Sequence, residues 1–397
     1  GRVSWGQIDK LLPPPSGKPF RLPDVVLDVA DATIRLDTPY GRLGFAVAGR
    51  GNLTGGFKGR MAVASRRIDI GACDVVGLKS NVAVGVVARR PQVLGPVSAE
   101  AFNCPASRMA MAQPRIDVDS SFSEAFETFD GKGRLAVANF TAGDNGLANL
   151  VANIGFKGSA TDARGRFDLA AQRARLADIF ADRTRLKGTY RLEAGRGRLA
   201  VIADYGADSA SLAAPLLAGL ANGLEGAAKT PIGPVAKSIA AAIRRTARGF
   251  DADGKLVLVN FPGGGGVRIE SADVRSPAGA RVRVAGRDGI NYYWPSGRIR
   301  IDSTIAMTGG GLPTARIALS QPRSGAPMSG EARIAPYAVG RTRLALAPVR
   351  FSAGADGSTN VRTLALMDGP VPGGFVRGLR LPVDASFGGR SGFRFGR

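Results

Sequence analysis

The chain has 397 residues, no histidine, two cysteines and only 7% aromatic residues. Without histidine, the commonest general base and the commonest metal ligand are missing. A Ser-His-acid catalytic set is therefore excluded, and two cysteines without histidine cannot build a usual zinc site. No carboxylates pair in an apolar setting, as acid–base chemistry would require. We expect a protein that is not an enzyme and that holds no metal and no cofactor.

The two cysteines, Cys73 and Cys104, leave two alternatives open. They could form one disulfide if the protein resides in an oxidising compartment. They could equally remain two separate thiols. The sequence does not show whether they meet.

The sequence also lacks a long apolar run. A membrane-spanning helix needs about 20 consecutive apolar residues. The most helix-like stretch, residues 208–249, is interrupted by Glu225, Lys229, Pro231 and Pro234. We therefore predict no membrane span in it. The chain begins with Gly, so we expect an excerpt of a longer protein, with any leader or anchor outside it.

Acidic residues are scarce, with 32 Asp and Glu against 54 Lys and Arg, which gives a net charge of +22. Of the basic residues 10 are Lys and 44 are Arg. Such a surplus favours an anionic partner, either nucleic acid, phospholipid head groups or an acidic surface. The alternative is that arginines simply cover solvated faces. Aromatic residues interleaved with arginines would favour nucleic acid, but these are few, so we expect no nucleic-acid partner.

What the sequence does contain is a recurring two-residue alternation of apolar and charged side chains. This period places apolar residues on one face of a strand and charged residues on the other, as in antiparallel sheets with one solvated face. Turn signals rich in Gly and Pro separate these stretches. We predict that the apolar members line one continuous apolar face: Ile34, Leu36, Ile68, Ile70, Ile116, Val118, Val267, Ile269, Val282, Val284, Ile299, Ile301, Leu344 and Leu346.

Residues 208–249 break this rhythm and predict two helices joined by the segment TPIGP. Ser209 or Ser211 would cap the first helix, and Gly249 would follow the second. Apolar residues at helical spacing form one stripe on each helix. The helical pair would either pack on the sheet or cap an apolar cavity through Leu212, Leu216, Leu220, Leu224, Val235, Ile239 and Ile243.

The predicted fold is mainly β: a long antiparallel, curled sheet of repeated hairpins with an inserted two-helix segment. Such a sheet must close, pair with another sheet or curl around something apolar. We divide the chain into a linker-like start (1–23), a first β part (24–205), a helical insert (206–250) and a second β part (251–397) continuous with the first. Residues 146–154 (GLANLVANI) are the best candidate for a further short helix.

The densest aromatic run is NYYWPSG at residues 291–297. Its rings would pack together at a hairpin, or they would form part of a wall that contacts acyl chains.

Residues 36–63 read LDTPYGRLGFAVAGRGNLTGGFKGRMAV. Residues 206–286 contain the runs PLLAGL, TPIGPVAKSIAAAIRR and FDADGKLVLVNFPGGGGVRIESADVRSPAGARVRVAG. These two stretches resemble the YdbH family of Gram-negative bacteria, which belongs with the AsmA-like and TamB-like envelope proteins. These are diffuse patterns, and neither contains a catalytic signature.

The resemblance implies a U-shaped β-groove that holds phospholipid acyl chains and moves phospholipid across the periplasm between the inner and outer membranes. It also implies an inner-membrane anchor and a small outer-membrane lipoprotein at the C-terminal end, both outside this sequence. A periplasmic location would favour the Cys73–Cys104 bridge. The alternative function, by likeness to TamB-like proteins, is a scaffold that assembles outer-membrane proteins by templating strands on a sheet edge.

Overall fold

The computed structural model describes residues 21–176, 178–214, 217–218, 233–309, 311, 313–371, 373–387 and 394–395. The chain divides into two compact units. The first comprises Gly1–Ala174 and Thr189–Gly195, and the second comprises Arg175–Gly188 and Arg196–Arg397. The predicted fold class is confirmed, since the described residues are mainly β and form 25 strands of one large antiparallel sheet.

The first unit is built from long neighbouring strands and two short ones. Its strands are β1 (Val26–Thr38), β2 (Gly41–Asn52), β3 (Lys58–Ile70), β4 (Cys73–Val87), β5 (Arg90–Ser98), β6 (Ala101–Cys104), β7 (Met109–Ala112), β8 (Arg115–Phe122), β9 (Thr128–Ala142) and β10 (Asn145–Ser159). Strands β11 (Asp162–Leu176) and β12 (Ile179–Glu193) each contribute residues to both units.

The second unit contains the remaining strands. They are β13 (Arg198–Leu212), β14 (Phe250–Phe261), β15 (Gly264–Arg275), β16 (Arg281–Trp294), β17 (Arg298–Thr308), β18 (Ala315–Gln321), β19 (Ser329–Ile334), β20 (Tyr337–Val339), β21 (Thr342–Leu346), β22 (Val349–Ala353), β23 (Thr359–Val371), β24 (Gly374–Phe387) and β25 (Arg394–Phe395). Short 3₁₀ turns occur at Pro105–Ser107 and Ala194–Arg196.

Helix α1 (Gly233–Thr246) also belongs to the second unit. Its amphipathic pattern buries Val235, while Arg244 and Arg245 occupy the last turn, where the helix dipole favours cations. The chain leaves the helix through Gly249, which has a φ of 62° and accepts the left-handed conformation without a Cβ clash. The second of the two predicted helices is thus present.

The predicted start of the helical segment at residue 208 is wrong, because Asp208–Leu212 are the last residues of β13. Sheet pairing overrides the local helix signals here: Ala210 pairs with Phe250, and the Leu212 N–H donates to the Ala247 carbonyl. Ser209 is no helix cap, because it lies within β13, where its N–H donates to the Asp251 carboxylate at 3.0 Å. Leu212 is therefore a strand residue.

Part of the first predicted helix lies outside the described residues. Ala214, Leu217 and Ala218 have helical conformation, and Leu217 is buried. Three residues of the predicted stripe, Leu216, Leu220 and Leu224, lie outside the described part of the chain, as do residues 1–20 of the predicted linker-like start.

The short helix predicted at residues 146–154 is also wrong, because this segment lies within β10. Ala148, Leu150 and Ala152 are buried at every second position, and Leu150 pairs with Val137 of β9. Leu147 and Val151, at the alternate positions, are also apolar and hide this period in the sequence. Val137, Leu150 and Ala171 form a core cluster of the first unit.

Candidate functional site

A row of apolar side chains crosses the strands of the first unit. Ile34 pairs with Phe45, and Ile116 pairs with Val97 on one side and Leu135 on the other. Directly opposed residues of antiparallel strands share a face of the sheet. The register joins these pairs into one row: Ile34, Phe45, Val63, Ser80, Val97, Ile116, Leu135 and Ala152. The predicted lining residues Ile34 and Ile116 thus share one face.

A second row in this unit starts at Ile68, which pairs with Val75. The row continues through Phe102, Met111, Phe140 and Leu147. In a regular strand, Val75 and Leu78 would face opposite sides because they are three residues apart. Gly77, with a φ of 65°, interrupts the alternation between them. As a result both line the same cavity.

The other predicted lining residues of the first unit have less apolar surroundings. Leu36 pairs with Leu43, but Val118 lies between Gly95 and Gly133, which offer no side chain to pack against. Ile70 pairs with Cys73 at the end of its strand and is 55% exposed.

The two rows meet at an open cavity of about 230 Å³ in the first unit. Its apolar wall includes Val75, Leu78, Val97, Phe102, Ile116 and Leu135. Arg115 also lies at the wall, but its guanidinium donates to Asp117 at 2.8 Å and is largely exposed. The cavity therefore offers hydrocarbon contact and no unpaired buried charge, which suits an apolar ligand.

A disulfide holds the strands that supply this wall. Cys73 on β4 and Cys104 on β6 are bonded, with an S–S distance of 1.98 Å. Val75 lies two residues after Cys73 on β4, and Phe102 lies two residues before Cys104 on β6. The cavity residues Val75 and Phe102 pair with each other. The bond thus ties the short β6–β7 hairpin to the long strand β4, and Cys104 is buried.

In the second unit the predicted lining residues fall on one face. Val267 and Ile299 both pair with Tyr292, while Ile269 and Ile301 both pair with Ile290. The pairing joins these residues into two rows. One row is Leu258, Val267, Tyr292 and Ile299. The other row is Leu256, Ile269, Ile290, Ile301 and Leu319.

Val282 and Val284 reach this same face despite a bulge in β16. They pair with Met307 and Ile305, which alternate along β17 in phase with Ile301. The register shift between Ala285 and Gly289 keeps the apolar side chains of β16 on one side. Most of these residues are half-buried, so the face stays accessible in part.

Helix α1 covers the part of the apolar face that contains Leu344. Val235, Leu344, Ala365 and Met367 form a buried cluster. Ile239 and Leu346 pack against its margin. The predicted cap residues Val235 and Ile239 thus contact the predicted lining residues, whereas Ile243 is half-buried outside this cluster.

The charged residues that alternate with the apolar ones pair with each other. Arg115 binds Asp117 at 2.8 Å and Arg268 binds Glu270 at 2.7 Å, all on exposed side chains. Such exposed pairs contribute about 0–1 kcal/mol each. A hydrogen bond from the Arg281 guanidinium lowers the pKa of Asp273 below its usual range. These carboxylates serve as partners of arginines.

Tyr205 is the described group with the largest perturbation of its pKa. It pairs with Gly254 and donates to the Ser271 carbonyl at 3.3 Å. Burial, with a smaller contribution from Asp253, raises the pKa of Tyr205 to about 12. Its hydroxyl is thus protonated at neutral pH and acts as a structural donor.

Sequence reasoning missed several residues of the site. Phe102 and Met111 lie on four-residue strands that are too short to show a period. Ala365 and Met367 stand in the run TLALM, where neighbouring apolar residues hide the alternation. The glycine at position 77 was a usable signal, because a glycine inside a strand often marks a break in the pleat.

Within the described ranges, no three His, Cys, Asp or Glu residues are grouped so that they could hold a metal ion. No helix in that part of the chain is long and apolar enough to cross a membrane. No protein-family model matches the sequence, and no curated protein matches it either. The resemblance to the YdbH family stays a prediction.

Proposed function

We propose that this chain binds phospholipid acyl chains along its apolar face, as part of phospholipid transport between the inner and outer membranes of a bacterial envelope. The observation that carries the proposal is the apolar row that runs across strand after strand, such as Ile269, Ile290, Ile301 and Leu319. A half-exposed apolar face costs about 25 cal/mol per Å² in water. Acyl chains would remove that cost.

Two further features support an apolar cargo. The cavity beside Ile116 is walled by hydrocarbon and is open. The charged residues lie on the alternate positions of the same strands, so lipid tails and solvated arginines would be kept apart.

The proposed location is the periplasm, with an anchor in the inner membrane outside this sequence. The Cys73–Cys104 disulfide supports an oxidising compartment, since disulfides persist in the periplasm and are rare in reducing cytosol. The curled groove and a lipoprotein partner at the C-terminal end belong to the same proposal and rest on the family resemblance.

A face-specific photo-crosslinking experiment tests the proposal. Photoreactive amino acids are placed singly at Ile301, on the apolar face, and at its neighbour Arg300, on the other face. After incubation with radiolabelled phospholipid, we expect lipid adducts at position 301 and very few at position 300. Equal labelling at both positions would overturn the proposal. Recovery of unfolded outer-membrane proteins without lipid would favour the strand-templating scaffold instead.

A further inference from the structure

Three hairpin turns of the second unit lie side by side at one end of its strands. They connect β14 to β15, β16 to β17 and β18 to β19. A Cβ built on Gly264 would lie 3.6 Å from the Cδ of Pro295, so the first two turns touch. The Ser324 N–H donates to the Ser296 carbonyl at 3.0 Å, which joins the second turn to the third.

Aromatic side chains are concentrated at these turns. Phe261 is 49% exposed and Tyr292 is 44% exposed. The ring centroids of Tyr292 and Trp294 lie 6.4 Å apart, and the Trp294 indole donates to Asn260 at 3.2 Å. Large exposed rings are unusual on a solvated surface and indicate a site of interaction.

The three turns themselves carry positive charge only, and the adjoining β22–β23 turn, which a hydrogen bond from the Met328 N–H to the Thr359 hydroxyl joins to them, contributes Asp356. Arg298 lies at the β16–β17 turn and Arg323 at the β18–β19 turn, and both are exposed. Residues 260–269, 289–301 and 313–330 contain no Asp or Glu. The Arg298 guanidinium lies 4.2 Å from the centroid of the Tyr293 ring, on the face of β16 opposite Tyr292 and Trp294. The end of this hairpin thus presents aromatic rings on one face and a cation on the other.

We propose that this hairpin-tip patch, which we define as Phe261, Tyr292, Trp294, Arg298 and Arg323, docks on the surface of an anionic phospholipid bilayer. Tyr and Trp rings occupy the head-group level of bilayers, because one end of each ring system is apolar and the other is polar. Arginines near the surface add attraction to anionic head groups. Phe261 supplies the apolar side chain that enters the acyl boundary.

A single strand of nucleic acid fits the patch less well. Bases stack on free aromatic faces that follow a basic groove. Here Arg298 already occupies a face of Tyr293, and the remaining rings cluster at adjoining turns. Bilayer docking does not depend on lipid transport along the apolar face, since it uses the surface of the membrane and not a single bound lipid.

The chain has two tryptophans, Trp5 and Trp294, so Trp5→Phe leaves Trp294 as the only fluorescent reporter. The whole chain with this substitution is mixed with phosphatidylcholine vesicles, with and without phosphatidylglycerol. We expect co-flotation with the anionic vesicles, a blue shift of Trp294 emission and stronger quenching by head-group-level quenchers than by deep ones. Raised salt should weaken the binding.

Two variants and their matched controls test the roles of the residues. Two double variants should each weaken binding to anionic vesicles about tenfold. One combines Phe261→Ser with Tyr292→Ser, and the other combines Arg298→Gln with Arg323→Gln. Exposed residues of the same unit outside the patch serve as controls, and Ile202→Ser and Arg380→Gln should leave binding unchanged. Unchanged circular dichroism and unfolding midpoints establish that the variants fold.

Three results would overturn the proposal. The first is no co-flotation with either vesicle type, and the second is equal binding by the patch variants. The third is a change of Trp294 emission with a single-stranded oligonucleotide or with monomeric short-chain phospholipid, together with no change when vesicles are added. Lipid crosslinking at position 301 is measured separately, in the chain whose patch is unaltered, so failure of bilayer docking is distinguishable from failure of the proposed transport function.

Discussion

Val235 on helix α1 packs in one cluster with Leu344 on β21, and only 2% and 7% of their surfaces are exposed. The helix is therefore part of the core of the second unit. Since the same cluster includes Ala365 and Met367 of β23, the apolar face of the sheet is closed by protein at this place. Elsewhere in the second unit, residues such as Ile299 and Ile301 stay half-buried.

Truncating the centre of this cluster should destabilise the second unit. Met367 is 1% exposed, whereas its neighbour Leu366 on the same strand is 42% exposed. We expect Met367→Ala to lower the free energy of unfolding by about 2–5 kcal/mol, because it leaves a cavity. Leu366→Ala should cost much less. Urea denaturation followed by circular dichroism measures both, and equal losses would contradict the assignment of Met367 to the core.

Removing the disulfide should loosen the wall of the cavity in the first unit. Replacing both Cys73 and Cys104 by Ala should cost about 2–4 kcal/mol, because the unfolded chain is no longer constrained. Denaturation with and without reductant measures the loss. Reductant should destabilise the parent protein and leave the double variant unaffected. Detection of two free thiols in the oxidised parent protein would show that the bond is absent.

The raised pKa of Tyr205 should make stability fall at high pH. Its folded-state pKa is about 12, against an ordinary value of 10.0. The folded protein thus keeps a proton that the unfolded chain loses. This contribution is complete below about pH 10 and is lost as the pH rises toward 12.

Tyr205→Phe should remove this part of the pH dependence, although it also removes the hydrogen bond to Ser271. Unfolding midpoints measured from about pH 8 to about pH 12 should therefore fall less steeply in the variant, because proton linkage at this site is gone. Tyr292→Phe, on an exposed ring, is the control and should follow the parent protein. Parallel curves for all three proteins would refute the assignment.

A charge placed in the cavity of the first unit should reduce lipid binding there. Ile116 lines the cavity, and Leu94 is an exposed residue of neighbouring strand β5 that is not among its lining residues. An unpaired carboxylate in an apolar wall repels hydrocarbon because it stays hydrated. Ile116→Asp should lower the amount of phospholipid that co-purifies with the protein by about twofold or more, because less apolar area remains for the lipid to contact. Native mass spectrometry measures this amount. Leu94→Asp should leave it unchanged, and equal losses would argue against the cavity.

The sequence by itself determined the strand architecture. Charged and apolar residues alternate along Arg298, Ile299, Arg300 and Ile301. This segment must be a strand if its apolar residues are to share a face, because side chains in a strand alternate with a period of two. The same reasoning predicted the helix that carries Val235 and Ile239, whose spacing matches a helical turn. The absence of histidine likewise limits the chemistry, because it removes the commonest general base and the commonest metal ligand.

Only the tertiary structure decided which residues meet. Strand pairing carried β13 through Leu212, because hydrogen bonds to residues far along the chain outweighed local helix preference. The pairing register, which the local period does not specify, joined Ile34 to Ile116 in one row and brought Cys73 to Cys104. The turns that follow Phe261 and Trp294 likewise lie side by side only because β15 pairs with both β14 and β16.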